Sequence, residues 1–397
     1  MKIAMIGHKR IPSREGGVEV VVSEISTRLV KCGNEVIAYN RKGKNVQDKS
    51  VDKDKHKLKE YKGIKLVTIP TINKKGIDAL IYSFFASIAV LFKKCDIIHY
   101  HAEGPAAMLW IPKLFKKKIV VTIHGLDWKR SKWGGFAAKY IKFGEKMVAK
   151  HANKIIVLSK DVQEYFKNTY NRDTYFIPNG VNKPIIRASN IIKEKYNLNK
   201  DDYILFLARI VPEKGLHYLI EAFENINTNK KLVIVGGSSH TNEYLENIKE
   251  MVEKDDRIIM TGFVQGEELD ELYSNCYFYC LPSDVEGMPL SLLEAMSYGC
   301  NCLVSNIKEN LQIAPKYLIS FEKGNIEALK EKIEKLLINK DCEYSRGEIS
   351  TYICQKYNWE LVVDSLLTIY EENSNSICKV YGWNNMVKKI FGLYKHN

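Results

Sequence analysis

The nine cysteines of the sequence include no C-x-x-C pair and show no other spacing of zinc ligands. Cys276, Cys280, Cys300 and Cys302 lie in or beside segments that read as buried strands. They are expected to be small core hydrophobes in a reducing cytoplasm. Long apolar runs are missing too. The longest extends from Ala79 to Phe92, 14 residues, short of the ~20 that a membrane-spanning helix needs. No secretory leader is read, because Met1-Lys2 runs straight into the strand-like Ile3-Ala4-Met5-Ile6-Gly7. Internal repeats, low-complexity segments, a Walker A motif and G-x-G-x-x-G are all lacking. Solenoids, disulfide scaffolds and P-loop enzymes are thereby set aside. What is present is 397 residues, 45% apolar and 27% charged, the balance of an ordinary globular protein. At roughly 100–200 residues per domain, the chain should form two domains.

The net charge is +13, and it is unevenly spread. Residues 1–180 hold 35 Lys and Arg against 16 Asp and Glu, whereas 181–397 hold 25 against 31. After Glu372 there are four Lys and no acid. A basic half joined to an acidic half suggests that one half meets an anionic surface.

Short β-branched runs alternate with helical patterns throughout. Strands are expected at Lys2–Gly7, Glu35–Asn40, Ile64–Pro70, Asp96–His101, Lys118–His124, Lys154–Ser159 and Thr174–Pro178, then at Tyr203–Arg209, Lys231–Gly236, Arg257–Gly262, Tyr277–Pro282, Asn301–Ser305 and Tyr317–Phe321. Most are near-continuous apolar runs, the mark of parallel strands buried on both faces. The rhythm implies two doubly wound α/β domains. A polar break at Asn179–Lys200 coincides with the charge reversal, so the domains are expected at 1–182 and 183–372. A basic tail helix over 373–397 would pack back on the first domain. Its Val380, Trp383, Val387, Ile390, Phe391 and Tyr394 have roughly helical spacing, which suits either docking or a membrane interface. Arg41–Lys62 reads as a charged loop. Its Asp52-Lys53-Asp54 matches a metal-holding D-x-D pattern but sits in a solvated run, so no metal role is expected.

Four segments carry chemistry. In Ser283-Asp-Val-Glu286-Gly-Met-Pro-Leu-Ser-Leu-Leu-Glu294-Ala-Met-Ser-Tyr-Gly299 an apolar strand leads through Gly287 to a helix opening near Pro289 and closing at Gly299. Free N–H groups at such a helix start attract a diphosphate. Glu294 stands where an apolar residue belongs, so it needs a specific partner, either ribose hydroxyls or a nearby loop or Lys. Arg209 ends a buried strand and Lys214 opens the next helix. Two cations there complement a diphosphate, or are solvated loop charges. The Gly236-Gly237 loop adjoins the same crevice. Near the start, Gly7-His-Lys9-Arg10-Ile-Pro-Ser-Arg14-Glu15-Gly16-Gly17-Val-Glu19 again joins strand to helix. Gly16 and Gly17 let backbone N–H groups approach a ligand, and Lys9, Arg10 and Arg14 are candidates for a donor or acceptor phosphate. In Thr122-Ile-His124-Gly-Leu-Asp127-Trp128, His124 can meet a sugar hydroxyl and Asp127 is a candidate acid/base group; a structural histidine is the plain alternative.

Ile177-Pro-Asn-Gly-Val181, Arg209–Lys214 and Glu286-x7-Glu294, in this order, resemble retaining glycosyltransferases of the GT-B fold, family 4. The resemblance covers nearly the whole chain. Segments 9–19 and 124–128 resemble one branch, the bacterial capsule and exopolysaccharide rhamnosyltransferases, which use dTDP-L-rhamnose and a lipid-linked sugar acceptor. The resemblance implies a GT-B fold of two Rossmann-like domains across a cleft. It implies that Arg209 and Lys214 bind the donor diphosphate, that Glu294 holds the ribose, and that Glu286 touches sugar hydroxyls beside the backbone of Gly287, Met288, Pro289 and Leu290. Gly16 and Gly17 would approach the donor phosphate, and His124 the donor sugar. Lys9, Arg10, Arg14, Glu19 and Asp127 are acceptor-side candidates. Neither a metal nor another cofactor is implied, and no protein nucleophile is assigned.

The basic half then becomes the acceptor half. It would attach the enzyme peripherally to the inner face of the membrane, with Lys113, Lys116, Lys117, Lys118 and the Phe84/Phe85 region as candidates, each near-surface cation being worth about 1 kcal/mol; a core helix at 79–92 and a merely solvated lysine face are the plain alternatives. Alternatives are a UDP- or GDP-sugar donor, nucleotide-sugar epimerisation, a non-catalytic partner subunit, or nucleic-acid binding. No basic helix with interleaved aromatics supports the last.

Overall fold

A computed structural model describes residues 1–42, 58–72, 77–129, 135–237, 242–338 and 344–372. The expected tail helix and Asp52-Lys53-Asp54 lie outside these residues.

Two sheets form. The first contains β1 (Lys2–Ile6), β2 (Glu35–Arg41), β3 (Glu60–Tyr61), β4 (Ile64–Ile69), β5 (Ile97–His101), β6 (Ile119–Ile123), β7 (Lys154–Val157) and β8 (Tyr175–Phe176), in the order β3-β4-β2-β1-β5-β6-β7-β8. The second contains β9 (Tyr203–Leu207), β10 (Lys231–Val235), β11 (Ile258–Gly262), β12 (Phe278–Leu281), β13 (Cys302–Ser305) and β14 (Leu318–Phe321), in the order β11-β10-β9-β12-β13-β14. Every pairing is parallel except β3 with β4. The chain thus forms two Rossmann-like α/β units, as its apolar runs imply.

The strand order reverses between β1 and β5 in one sheet and between β9 and β12 in the other. Ligands of such sheets bind at the carboxyl ends of strands beside that reversal. All four chemistry-bearing segments follow β1, β6, β9 or β12, so topology alone gathers them.

Two features depart from expectation. The segment read as a charged loop ends in a small hairpin: β3 turns into β4 through Lys62 and Gly63, at φ 48° and 79°. Positive φ at both central residues is what a two-residue hairpin needs, and two residues of strand are too few to show as a hydrophobic pattern. The second departure concerns the closing helix, Trp359–Glu371. It lies within the stretch expected to form the second domain, yet its Trp359, Val362, Val363, Leu366, Ile369 and Tyr370 are buried against Ile3, Val22, Ile25 and Leu29 of the first unit. Fully burying such a side chain is worth about 1.5–3 kcal/mol. Six together outweigh any pull of sequence adjacency. Arg28, on the first helix (Gly17–Lys31), fastens this helix through Nε to Glu360 Oε1 at 3.0 Å.

Candidate active site

The loop after β1 is pinned from within. Gly7 sits at φ +120°, and a Cβ there would meet the His101 carbonyl oxygen at 2.2 Å. Asn40 accepts from the Ile11 N–H and donates to the Ile11 oxygen, while its Oδ1 lies 3.0 Å from His8 Nε2. The Glu19 carboxylate reaches back to the Lys9 N–H at 2.8 Å and lies where a Cβ on Gly16 would stand. Glu19 and Arg10 are both buried. Glu19, expected on the acceptor side, thus holds the loop from within. Arg14, also placed on the acceptor side, donates instead to Glu294 Oε1 at 2.8 Å.

Glu294 lies on the helix Leu290–Ser297, whose N-terminal flank is Pro289. Its Oε2 accepts from the Tyr273 hydroxyl at 3.3 Å. Burial raises its pKa, opposed by Arg14 and Tyr273. The odd carboxylate in Leu-Leu-Glu-Ala-Met thus has two partners, one from each unit. The other carboxylate, Glu286, is buried and accepts from Lys214 Nζ at 2.5 Å and from Ser283 Oγ at 2.8 Å. Lys214 can stand there because the two loops touch: Gly215, at φ +66°, would carry a Cβ 2.0 Å from the Pro282 oxygen, and the Asp284 N–H donates to the Glu213 oxygen.

The two units meet at this loop. A Cβ on Gly287 would lie 1.8 Å from the His124 carbonyl oxygen, so only glycine allows the approach. The Asn179 side-chain amide donates to the Met288 oxygen at 3.3 Å. Gly17, at the start of the first helix, faces Leu290 Cδ1 at 3.6 Å from its absent Cβ. Segments 9–19, 124–128, 209–215 and 283–294 are therefore brought to one cleft.

Behind His124 runs a column of histidines that the sequence analysis passed over. His101 Nδ1 lies 3.1 Å from His124 Nε2. His99 stacks on His101 at 4.3 Å and reaches the Tyr370 hydroxyl through Nδ1 and Thr122 Oγ1 through Nε2. Burial lowers the pKa of His8 to about 4 and of His99 to about 3. His101 is held well below its ordinary value by burial and by His99, His124 and His8. The signal was there in Ile97-Ile-His-Tyr-His101, where two polar side chains share one face of a buried strand. Also missed were Tyr273 and Glu103. Glu103 is fully buried and accepts the Asp127 N–H at 3.3 Å; burial and Asp127 push its carboxyl well above the usual range. Trp128, next to Asp127, donates to Glu145, a buried carboxylate that also takes Lys142, Tyr165 and Tyr170. This cluster braces the segment bearing His124 and Asp127. Among the described residues no three His, Cys, Asp or Glu are placed to hold a metal ion.

Comparison with known families meets this cleft from both sides. The model described as "Glycosyltransferase Family 4" matches residues 15–183, and "Glycosyl transferases group 1" matches 188–373. The chain is a GT-B glycosyltransferase of the group 1/family 4 type. An uncharacterized glycosyltransferase of Methanocaldococcus jannaschii is 26% identical over 91% of this glycosyltransferase and 95% of its own length. The Escherichia coli UDP-Gal:alpha-D-GlcNAc-diphosphoundecaprenol alpha-1,3-galactosyltransferase is 28% identical over 55% and 59%. The Staphylococcus aureus capsular polysaccharide biosynthesis glycosyltransferase CapM is 23% identical over 84% and 92%. The fold is shared with sucrose-phosphate synthase of Thermosynechococcus elongatus, at TM-score 0.77 and 19% identity, over 93% of this chain and 98% of that one. It is shared also with Anabaena HepE in complex with UDP and glucose, at TM-score 0.76 and 14% identity, over 93% and 99%.

Proposed function

We propose that this glycosyltransferase moves a hexose, L-rhamnose from dTDP-L-rhamnose, onto a polyprenyl-diphosphate-linked saccharide during surface polysaccharide synthesis, with retention at the transferred carbon. The observation carrying the proposal is the pairing of Lys214 with Glu286 on one wall of the cleft and of Arg14 with Glu294 across it. A carboxylate offers about four lone-pair sites. Arg14 and Tyr273 use two at Glu294, leaving room for ribose hydroxyls. Lys214 and Arg209 take the diphosphate, together with the N–H groups of the helix Leu290–Ser297. Charge grows on the departing nucleotide, so these donors act most strongly in the transition state. Loss of one such preorganised donor typically costs 10²–10³ in rate. Glu286 and His124 meet the sugar, and departure of the nucleotide is followed by attack of the acceptor hydroxyl on the same face.

A lipid-linked acceptor asks for a surface to work on. No helix among the described residues is long and apolar enough to cross a membrane. The helices Ile77–Ala89 and Trp110–Leu114 pack together and expose Phe84, Phe85, Trp110 and Leu114, with Phe92 and Phe115 beside them. Lys93, Lys94 and Lys116 are exposed around them. Such a rim of cations around apolar side chains suits the anionic inner leaflet of the cell membrane. Lys118 drops out of the set, because its ammonium holds the Tyr370 and Glu372 oxygens at the end of the closing helix.

A UDP-hexose donor is the second reading. It is favoured by the UDP-Gal named for the galactosyltransferase and the UDP and glucose in HepE. The test is nucleotide release by the purified enzyme across a donor panel, with and without polyprenyl-diphosphate-linked glucose. Release of dTDP from dTDP-L-rhamnose only with acceptor supports the first reading. Release of UDP instead replaces it.

A further inference from the structure

We propose that His101 is a positioning residue that fixes the proton of His124 on Nδ1, leaving Nε2 of His124 as an acceptor. Only one hydrogen can lie between His101 Nδ1 and His124 Nε2, 3.1 Å apart. If His124 supplied it, the proton of the neutral His101 ring would sit on Nε2. That atom is buried with no hydrogen-bond partner, so an N–H would be stranded away from water. Buried donors without partners are rare, and under-satisfied acceptors are less so. If His101 supplies it from Nδ1, Nε2 is merely a bare acceptor. Burial and three neighbouring histidines disfavour a doubly protonated His101. The donor is therefore His101.

The ring cannot turn away from this duty. Its backbone oxygen faces Gly7 closely enough that any side chain there would clash. The next residue, Ala102, donates its N–H to the Thr122 oxygen and adopts φ 72°, a region L-residues seldom occupy. His99 lies flat against the ring, and both of its own nitrogens are engaged. Strain of this kind persists only where the surroundings over-determine it. The consequence for catalysis rests on the proposed contact of His124 with the donor sugar: a ring held in one tautomer meets the sugar with one fixed donor and acceptor pattern.

The test uses the full-length protein labelled with 15N-histidine. The His124 resonances, assigned by their loss in His124→Gln, should show a protonated Nδ1 and a bare Nε2. A protonated Nε2 overturns the proposal. His101→Leu should lower kcat at least tenfold with the donor KM little changed, and should leave His124 a mixture of tautomers. His101→Asn, whose amide N–H replaces Nδ1–H, should recover most of the rate and the single tautomer. His101→Leu with an unchanged tautomer overturns the proposal as well. If His124→Ala turns over like wild type while the tautomer is as stated, the functional reading of His124 fails and the proton assignment stands.

Discussion

Replacing Gly287 by alanine puts one methyl group where the two units touch. The new Cβ would lie 1.8 Å from the His124 oxygen, 2.9 Å from its carbonyl carbon and 3.2 Å from Gly125 Cα. Carbon and oxygen are comfortable at roughly 3.5 Å, so the loop must retreat by well over 1 Å. The obstacle is backbone and cannot rotate aside. Overpacking of this kind costs about 1–3 kcal/mol. With about 2–4 °C per kcal/mol for domains of this size, Tm should fall by roughly 2–12 °C. Activity should suffer more than stability. The same loop carries Glu286, and with it the partner of Lys214, and a 1 Å misplacement alone can cost about 10²-fold in rate. Gly17→Ala is the control, since its Cβ meets only Leu290 at an ordinary 3.6 Å. It should keep Tm, and should weaken donor binding only through closeness to the donor phosphate. The assay is nucleotide release at saturating and limiting donor, beside a thermal melt. Gly287→Ala with wild-type kcat and Tm would refute the idea that this contact sets the cleft.

Lys214→Ala should lower kcat about 10²–10³-fold and Glu294→Ala should raise the donor KM, with circular dichroism near wild type; wild-type kinetics in both would remove the proposed site. Stability should fall on acidification. The unfolded chain takes up protons at His8, His99 and His101 near pH 6.5, whereas the folded state refuses them until about pH 4 at His8 and about pH 3 at His99, and burial holds His101 well below its ordinary value. The stability is therefore present above pH 6.5 and lost as pH drops through that window, by at most about 1.4 kcal/mol per pH unit for each histidine. Urea titrations between pH 6.5 and 5 should show the slope, opposed in part by Glu103 and Glu294, whose raised carboxyls take up protons in the folded state first; a His99→Leu variant with an unchanged slope would contradict the buried column. Glu145→Gln should cost about 2–4 kcal/mol, because one buried carboxylate serves four donors; urea midpoints report it.

The strands and their parallel pairing were legible because a strand buried on both faces writes a continuous apolar run. The cleft was legible because chemistry-bearing residues follow those runs at their carboxyl ends. Glu294 betrayed itself as a carboxylate among apolar neighbours, and its ribose role remains the proposal, but its partners Arg14 and Tyr273 lie 280 and 21 residues away. No pattern along the chain links them. The same blindness misassigned the closing helix: its apolar face says that something covers it, and only the fold says what. Glu19 was ambiguous for another reason. A loop carboxylate looks alike whether it faces solvent or folds back on the Lys9 N–H, and that choice is made in three dimensions.

The return of the closing helix to the first unit has a mechanical meaning. The chain passes between the units twice, near Val181 and again near Asn358. The two passages are bonded together, with a parallel bridge between these residues and the Val181 N–H on the Tyr357 oxygen at 2.7 Å. Against them lies Gly180, where a Cβ would strike the Trp359 ring at 2.5 Å. A single tether would let the halves swivel freely. Two tethers sewn side by side restrict relative motion of the halves more than one would, and Arg14 with Glu294 is the ion pair of the site that any such motion has to part.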